Sequence, residues 1–325
     1  MEEEAQRSKT IDSQLPCLIF LGTPEFSVPA LKKLASVNAP ILLVVTQPDQ
    51  PSGRGKKLKP PAVKAAAETL GLSIYQPERI KGREAIEHIH SCGAECAVVV
   101  AYGQILPQDL LDVFALGTLN VHASLLPAYR GAAPIQRCLL AGETRTGVSI
   151  MLLDAGMDTG PVLSQRAFEI EEDEAFGSLH DRMANLGADL LLETLLRWRR
   201  GDVLPIPQVD ALATYAPPIL KTETQVAWGL PARQIVNTIR AFDPSPGAYG
   251  VFQGQRLKLF QTELLPWTGQ GRAGEIVGCS ERGLVVLGGD GRGLAIGALQ
   301  LEGKRRVTAA EFLRGHALPV GALLS

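Results

Sequence analysis

The segment CLIFLGTPEFSVPALKKLA, residues 17–35, indicates the fold of the first part of the chain. Its first six residues form a short apolar run that ends at Gly22, and a turn follows. A helical pattern then begins near Ser27. Together these features predict a buried strand, a turn and a helix.

The same alternation continues outward from this segment to about residue 200. Further strands are predicted at 39–49, 72–77, 96–106, 118–127, 146–154 and 160–170, and helices at 62–71, 82–93, 108–117, 133–142 and 176–201. Most of the strands are continuously apolar, which is typical of a parallel sheet with helices on both faces. We therefore expect an α/β domain with a mostly parallel sheet.

The sequence changes character after about Arg200. A stretch rich in Pro and polar residues comes first, and short alternating segments with many Gly turns follow. Short strands with frequent turns predict a small β-barrel, with helices at 231–242 and 308–315. We expect four parts: a mobile leader 1–15, a first domain 16–203, a linker 204–222 and a C-terminal domain 223–325.

Composition limits the classes of function. The 325 residues are 46% hydrophobic and 20% charged, with a formal net charge of −2. A near-neutral chain has no general basic field, so any nucleic-acid contact must come from a local patch. No apolar run reaches membrane-spanning length, and five cysteines without paired spacing suggest a reducing compartment. We expect a cytoplasmic protein that does not bind a membrane.

Ligands of such sheets bind beyond the carboxyl ends of the strands. That rule is expected to place four segments around one crevice: Thr46–Asp49, Ala101–Leu106, Asn120–Ser124 and Asp154–Asp158.

One of these segments, TLNVHASLLPAYRG at 118–131, carries the residues best suited to chemistry. Asn120 and His122 are two positions apart, so they face the same side of a strand. An imidazole can move a proton near neutral pH, a nearby carboxylate such as Asp158 can orient it, and an amide can stabilise an oxyanion. The other interpretation is that His122 and Asp158 only cap a loop and a turn.

Asp154 is a rival for the carboxylate, four residues before Asp158 in the same loop. Glycines at 156 and 160 flank Asp158 and would let the backbone approach a ligand closely. This favours Asp158.

Positive charge is concentrated in the segment GRGKKLKP at 53–60. It contains Arg54, Lys56, Lys57 and Lys59. Such a cluster binds phosphate backbones, although most charge runs are simply solvated. Its position after a strand, next to the expected crevice, favours a binding role.

Metal and nucleotide sites are poorly supported. His88, His90, Cys92 and Cys96 lie close together in sequence but lack the paired spacing of zinc ligands. The segment FLGTPEF has one glycine where a dinucleotide fingerprint needs three, and no GxxxxGK[ST] sequence occurs. We expect no metal.

Several segments together resemble one family. FLGTPEFSVPAL, TQPDQPSGRGKKLKPPAVK, AYGQILP, NVHASLLPAYRGAAPIQ and TGVSIMLLDAGMDTGPVL are similar to signature segments of the methionyl-tRNA formyltransferase family. The resemblance runs from about residue 17 to the C-terminus and includes AFDPSPGAY and GKRRVTAAEFLRG. The Asn-x-His-x-Ser-Leu-Leu-Pro segment is shared by formyltransferases that use 10-formyltetrahydrofolate.

The resemblance implies a Rossmann-like formyltransferase domain followed by an OB-like barrel that helps to hold tRNA. It implies formyl transfer from 10-formyltetrahydrofolate to the methionyl α-amine of initiator methionyl-tRNA, for translation initiation, by a monomer. The implied catalytic residues are Asn120, His122 and Asp158. The implied folate contacts are Tyr102, Gly103, Ile105, Leu106, Pro107, Ser124, Leu125, Leu126, Pro127 and Asp154. The implied tRNA contacts are Arg54, Lys56, Lys57, Lys59, Lys304, Arg305 and Arg306. Gln50 departs from the family, which often has Arg there.

Other functions stay open at this point. A formyltransferase for a nucleotide-linked amino sugar would share the Asn-His-Asp core but would not need the basic loop. A glycinamide-ribonucleotide formyltransferase would leave the last third of the chain unexplained. A non-catalytic RNA-binding protein on the same fold would not need the intact core.

Overall fold

The structure is a computed structural model that describes residues 14–52 and 57–325. Most of the expected leader, and Arg54 and Lys56 of the basic loop, lie outside the described residues. The chain divides into two compact units. The first comprises residues up to Gly131, Gly147–Phe168 and Asp181–Tyr215, and the second comprises Ala132–Thr146, Glu169–His180 and Ala216–Ser325.

Strands and helices alternate through the first two thirds of the chain, as the sequence predicts. The strands are β1 Leu18–Gly22, β2 Ile41–Val45, β3 Gln50–Ser52, β4 Lys57–Lys59, β5 Ile74–Tyr75, β6 Cys96–Val100, β7 Thr118–His122, β8 Arg145–Leu152 and β9 Val162–Glu169. The helices are α1 Val28–Ser36, α2 Ala62–Leu70, α3 Arg83–Ser91, α4 Gln108–Leu111, α5 Pro134–Ala141 and α6 Phe176–Arg199.

Seven of these strands form one sheet in the order β5-β2-β1-β6-β7-β8-β9. Five strands run parallel to one another: β5, β2, β1, β6 and β7. Their carboxyl ends therefore share one edge of the sheet. Leu18 to Leu21 in β1 are at most 1% exposed, which shows that the sheet is covered on both faces. This coverage explains why the apolar runs are continuous rather than alternating.

Strand β8 runs the other way. It pairs antiparallel with β7, and His122 lies opposite Ser149 while Leu119 lies opposite Leu152. The backbone N–H of Leu153 donates to the carbonyl of Thr118 at 2.8 Å, at the amino end of β7. The sheet is therefore mixed, and the loop after β8 begins near the amino end of β7, although its residue Asp158 lies 3.6 Å from His122 at the other end of that strand.

The chain after α6 stays with the first unit as far as Tyr215. The backbones of Val162 and Ile206 exchange two hydrogen bonds, of 2.8 and 2.9 Å, so this segment pairs with the start of β9. Arg130 and Tyr215 form a further parallel bridge. Twelve of the nineteen residues expected to form a linker, 204–215, thus belong to the first unit.

The second unit carries a six-stranded antiparallel sheet. Its strands are β10 Ala248–Phe252, β11 Gln255–Thr268, β12 Ile276–Ser280, β13 Gly283–Leu287, β14 Arg292–Leu301 and β15 Val307–Thr308. They follow the order β10-β11-β14-β13-β12, and β15 pairs with β14. Helices α7, Ala232–Phe242, and α8, Ala309–Gly315, match the two that the sequence predicts.

The C-terminal residues join the two edges of this sheet. The backbones of Ser325 and Val251 in β10 exchange two hydrogen bonds of 2.6 and 2.9 Å. On the other side, the N–H of Ile276 in β12 donates to the carbonyl of Ala322 at 2.8 Å, and Leu323 bridges Glu275. The C-terminal residues thus connect the two edge strands, β10 and β12, and close the sheet into a barrel-like arrangement.

Within the described residues, no helix combines the length and the apolar character needed to cross a membrane.

Candidate active site

Strand β7 presents the two residues that the sequence singles out. Asn120 and His122 are 8% and 6% exposed, and their spacing of two puts them on one face of the strand. Asn120 is held between Val99 of β6 and Met151 of β8. Within the described part of the chain, the Asn120 side-chain amide has no hydrogen-bond partner, so it is available to a ligand.

Both ring nitrogens of His122 face oxygen atoms. Nε2 lies 3.0 Å from the carbonyl oxygen of Tyr129, and Nδ1 lies 3.6 Å from Oδ2 of Asp158. A carbonyl oxygen can only accept, so Nε2 must carry a proton and donate it. Nδ1, the other ring nitrogen, faces the Asp158 carboxylate, so both nitrogens lie next to hydrogen-bond acceptors.

Asp158 is fixed at both its side chain and its backbone. The N–H of Gly131 donates to Oδ2 at 2.8 Å, which aims the carboxylate at the turn beside His122. The φ angle of Asp158 is +54°, in the left-handed region that costs about 1–2 kcal/mol for most residues and less for Asp. Tyr129, with φ +57°, is in the same region. Surrounding contacts must hold both residues there.

Those contacts come from Arg130 and Gln208. Arg130 is 2% exposed, and its Nε and Nη2 donate to Oε1 of Gln208 at 3.0 and 2.9 Å. Nε2 of Gln208 donates in turn to the carbonyls of Asp158 and Gly160, at 2.8 and 2.7 Å. The sequence analysis missed both residues, because Gln208 lies in a Pro-rich stretch that shows no periodicity. The only sequence signal was Arg130, a charged residue in a segment already assigned to the site.

Asp154, the rival carboxylate, binds its own loop. It is exposed, and Oδ1 accepts from the N–H of Gly156 at 3.0 Å and from Oγ1 of Thr159 at 2.6 Å. The flanking glycines, Gly156 and Gly160, are required by close contacts within the protein itself. A Cβ on Gly156 would lie 1.9 Å from Thr159 Oγ1, and one on Gly160 would lie 1.9 Å from the carbonyl oxygen of Leu152.

The loops after β1, β2 and β6 converge as the carboxyl-end rule predicts. Thr23 Oγ1 and Gln47 Nε2 both donate to the carbonyl of Tyr102, at 2.8 and 3.0 Å. The Tyr102 side chain, however, is 1% exposed in the core, where burial raises its pKa to about 12. Tyr102 can therefore offer a ligand its backbone but not its ring. By contrast, Ile105 on the same loop is 88% exposed.

The other expected folate contacts differ in exposure. Ser124 is buried and donates through Oγ to the carbonyl of Ala128 at 2.6 Å. Leu106 and Leu126 are buried, Gly103 is exposed, and Pro107, Leu125 and Pro127 are half-buried. Leu126 also anchors the loop, because its N–H donates to Ser149 Oγ at 3.1 Å.

The basic loop has a well-anchored base. Strand β3 precedes this segment, 53–60, and pairs antiparallel with β4, which belongs to it. At the start of this hairpin Asp49 accepts from Gln76 Nε2 at 2.8 Å and from Lys64 Nζ at 2.8 and 2.9 Å. The hydrogen bonds from Gln76 and then Lys64 lower the pKa of Asp49. Lys59 is exposed and lies 4.0 Å from Glu25.

The cations expected to contact tRNA in the second unit differ among themselves. Lys304 and Arg305 are exposed. Arg306 is paired, because its guanidinium donates to both carboxylate oxygens of Asp243 at 2.7 and 3.1 Å. It also lies over the ring of Phe260, 4.2 Å from the centroid.

Four cations, together with Glu302, line two neighbouring cavities of the second unit. One cavity of about 540 Å³ is lined by Lys221, Arg256 and Lys258, among other residues. A neighbouring cavity of about 450 Å³ shares Arg256 and includes Lys304. We call these four residues the cationic groove. Tyr249 also lines it, with the Arg256 guanidinium 4.7 Å above its ring. The sequence analysis did not identify Lys221, Arg256 or Lys258.

The histidine and cysteine cluster at 88–96 shows no metal geometry. The ring of His88 packs against Tyr75, with centroids 4.5 Å apart, and Cys96 is buried. No group of three His, Cys, Asp or Glu side chains suited to a metal is found within 14–52 and 57–325.

Comparisons with known proteins give the class of the chain. Residues 17–195 match the family model described as formyl transferase, and residues 218–317 match the model of the formyl transferase C-terminal domain. Methionyl-tRNA formyltransferase from Citrifermentans bemidjiense is 46% identical over 307 residues, covering 94% of this chain and 96% of that protein. The enzyme of the same name from Chromobacterium violaceum is 46% identical over 309 residues, covering 94% and 99%.

The fold has solved counterparts in the same class. The N-formyltransferase from Helicobacter canadensis, solved in complex with folinic acid and dTDP-3-aminofucose, superposes with a TM-score of 0.64 at 17% sequence identity. The match covers 90% of this chain and all of that one. This likeness shows that the fold is that of formyltransferases. The chain belongs to the methionyl-tRNA formyltransferase family, as the identity to its relatives shows.

Proposed function

We propose that this protein transfers the formyl group of 10-formyltetrahydrofolate to the α-amine of methionine on initiator methionyl-tRNA, for translation initiation. One observation carries the proposal: in a chain of this family, His122 at the end of β7 faces Asp158 at 3.6 Å, and Asn120 lies two residues earlier on the same face of the strand. The unpartnered amide of Asn120 and the imidazole held between two oxygens are suited to a developing oxyanion.

The reaction needs no covalent enzyme intermediate. The α-amino group has a pKa of about 8, so a substantial fraction is neutral near pH 7 and can attack the formyl carbon. The new C–N bond forms as the carbonyl oxygen gains negative charge, which Asn120 and protonated His122 stabilise. Asp158 assists removal of the amine proton, directly or through water. The bond to the folate N10 then breaks, and that nitrogen regains a proton.

The folate site is proposed on the loops around these residues. The exposed apolar side chain of Ile105 and that of Met157, 64% exposed beside Asp158, are suited to contact the flat pterin. The backbone of 102–107, the segment 124–127 and Asp154 complete the proposed contacts. Tyr102 takes part through its backbone, because its ring is buried.

Two basic regions are proposed to hold the tRNA. The basic loop, with Arg54, Lys56, Lys57 and Lys59, is proposed to reach the acceptor end. In the second unit, the cationic groove and the adjacent residue Arg305 are proposed to bind backbone phosphates, which attract clusters of positive charge. Tyr249 offers an aromatic face inside the groove, and Arg306 supports the surface through Asp243 rather than as a free cation.

The test is a purified-protein assay with 10-formyltetrahydrofolate and alternative acceptors. We expect formyl transfer to initiator methionyl-tRNA, and elongator methionyl-tRNA serves to measure the preference for the initiator. Transfer to an amino-sugar nucleotide with none to methionyl-tRNA would replace this proposal with that alternative. tRNA binding without transfer to any acceptor would indicate a non-catalytic RNA-binding protein.

We further propose that the protein works as a monomer in the cytoplasm. Sedimentation at working concentration with and without tRNA tests the first part, and fractionation of cells tests the second.

A further inference from the structure

The side-chain amide of Gln208 forms four hydrogen bonds in the first unit. Its oxygen accepts twice from the buried guanidinium of Arg130, and its nitrogen donates to the carbonyls of Asp158 and Gly160. An amide nitrogen has two protons and an amide oxygen has two lone pairs, so every hydrogen-bonding position of this side chain is used. A side chain whose donors and acceptors are all satisfied within the protein has a defined structural role, unlike a polar side chain that is hydrogen-bonded mainly to solvent.

The two ends of this contact reach the two sides of the active site. Arg130 lies between Tyr129, whose carbonyl accepts from His122, and Gly131, whose N–H donates to the Asp158 carboxylate. The amide of Gln208 therefore joins the turn 129–131 to Asp158.

The backbone of Gln208 is itself anchored on both sides. Before it, Ile206 pairs with Val162. After it, Thr214 accepts from the backbone of Arg130 at 2.9 Å and, through Oγ1, from the backbone of Tyr129 at 2.8 Å. A side chain held this firmly can hold Asp158 in its left-handed conformation.

We infer that Gln208 is a positioning residue for the formyl transfer proposed above, and that it acts through Asp158. It does not contact the reacting atoms. Its donation to the Asp158 carbonyl sets where the carboxylate stands relative to His122, which lies 3.6 Å away. Reaction geometry of this kind is sensitive to shifts of about 1 Å, which can cost about a hundredfold in rate.

The substitution Gln208→Glu separates this role from simple packing. A carboxylate keeps the acceptor that Arg130 needs, and it pairs with the guanidinium more strongly. It has no proton for the carbonyls of Asp158 and Gly160, so those two bonds are lost. The matched control is Asp210→Ala, which removes an 84%-exposed partner from the same guanidinium. Gln208→Ala is a second variant without the added charge.

We expect Gln208→Glu to lower kcat by about a hundredfold with KM for both substrates nearly unchanged, and Asp210→Ala to resemble the wild type. The loss of two donated bonds should lower the thermal midpoint of Gln208→Glu, but the protein should still fold because Arg130 remains paired. If Gln208 acts through Asp158, adding Gln208→Glu to Asp158→Asn should cost little more than Asp158→Asn alone.

A readout without substrates separates failure of this inference from failure of the proposed function. The Gly131 N–H bonds the Asp158 carboxylate, so its hydrogen exchange, followed by NMR, should accelerate in both Gln208 variants but not in Asp210→Ala. Unchanged exchange at Gly131, wild-type kcat in Gln208→Glu, or additive losses in the double variant would each overturn the inference. An inactive wild type would overturn the proposed function alone, and Gly131 exchange would still decide the inference.

Discussion

Replacing Asp158 by Asn tests the chemistry of the candidate site most directly. The substitution is nearly isosteric, and the Asn oxygen can still accept from the Gly131 N–H, so the loop should stay in place. Its NH₂ group would then face His122 Nδ1 as a donor. The variant therefore removes the negative charge opposite His122 with little change in shape.

The size of the effect follows from the 3.6 Å separation of Nδ1 and Oδ2. Coulomb's law at this distance gives about 1 kcal/mol in water and about 5 kcal/mol at an effective dielectric constant of about 20. The two side chains are 7% and 16% exposed, which places the pair nearer the second value. Since about 1.4 kcal/mol is tenfold in rate, kcat should fall by about 10²- to 10³-fold, and loss of a general base adds to this.

The assay is single-turnover formyl transfer at saturating substrates, with tRNA and folate affinities measured separately. We expect the Kd for tRNA to change by less than about twofold, because the carboxylate acts in the transition state. The control is Asp202→Asn, which alters an exposed carboxylate that pairs with Arg200 outside the candidate site and should keep the activity. A loss in Asp158→Asn no larger than in this control would refute the reasoning. So would a parallel loss of tRNA affinity.

Three further predictions concern the framework and the basic surfaces. Gly160→Ala would put a Cβ 1.9 Å from the Leu152 carbonyl, so urea denaturation should show a loss of about 1–3 kcal/mol. Gly229→Ala, which meets no atom within 4 Å, should be far milder, and equal losses would contradict the contact. The pKa of Asp49 is lowered in the folded state, so its contribution is present above the unfolded pKa of about 3.9 and is lost as pH falls through the folded value. Asp49→Asn should therefore lower the urea midpoint at pH 7, and the difference from the wild type should shrink as the pH falls below about 3.9; a difference that stays constant as the pH falls would argue against the anchor. Raising salt should weaken tRNA binding with a log–log slope of about −3 if the cationic groove makes four phosphate contacts, while folate binding changes little. A flat response for tRNA in filter binding would exclude the groove.

The order of elements in the first unit was predictable because periodicity and turn residues are local signals. The apolar runs at 17–22, 96–100 and 118–122 form strands of the sheet. Helix α2 ends where expected, with Gly71 as its C-cap in the left-handed conformation that glycine adopts easily. The direction of β8 was not predictable. An apolar run reads the same whether its strand runs parallel or antiparallel to its neighbour.

The candidate site was predictable only in part. Asn120 and His122 follow from their spacing of two, and the pairing of His122 with Asp158 agrees with the sequence hypothesis. The burial of the Tyr102 side chain and the hydrogen bond from Gln208 to Asp158 could not be predicted from the sequence. Both depend on how irregular segments pack against residues that are distant in sequence. The pairing of Arg306 with Asp243 could not be predicted either, since the two residues are 63 positions apart in sequence.

The pairing of Ile206 with Val162 determines where the chain can be cut. A fragment that stops at residue 203, the boundary expected from composition, would lack this pairing and leave the start of β9 with unsatisfied backbone groups. Exposed strand edges of this kind recruit other chains. Dissection of the protein into its halves should therefore end the first half at Tyr215, and a shorter version is expected to self-associate.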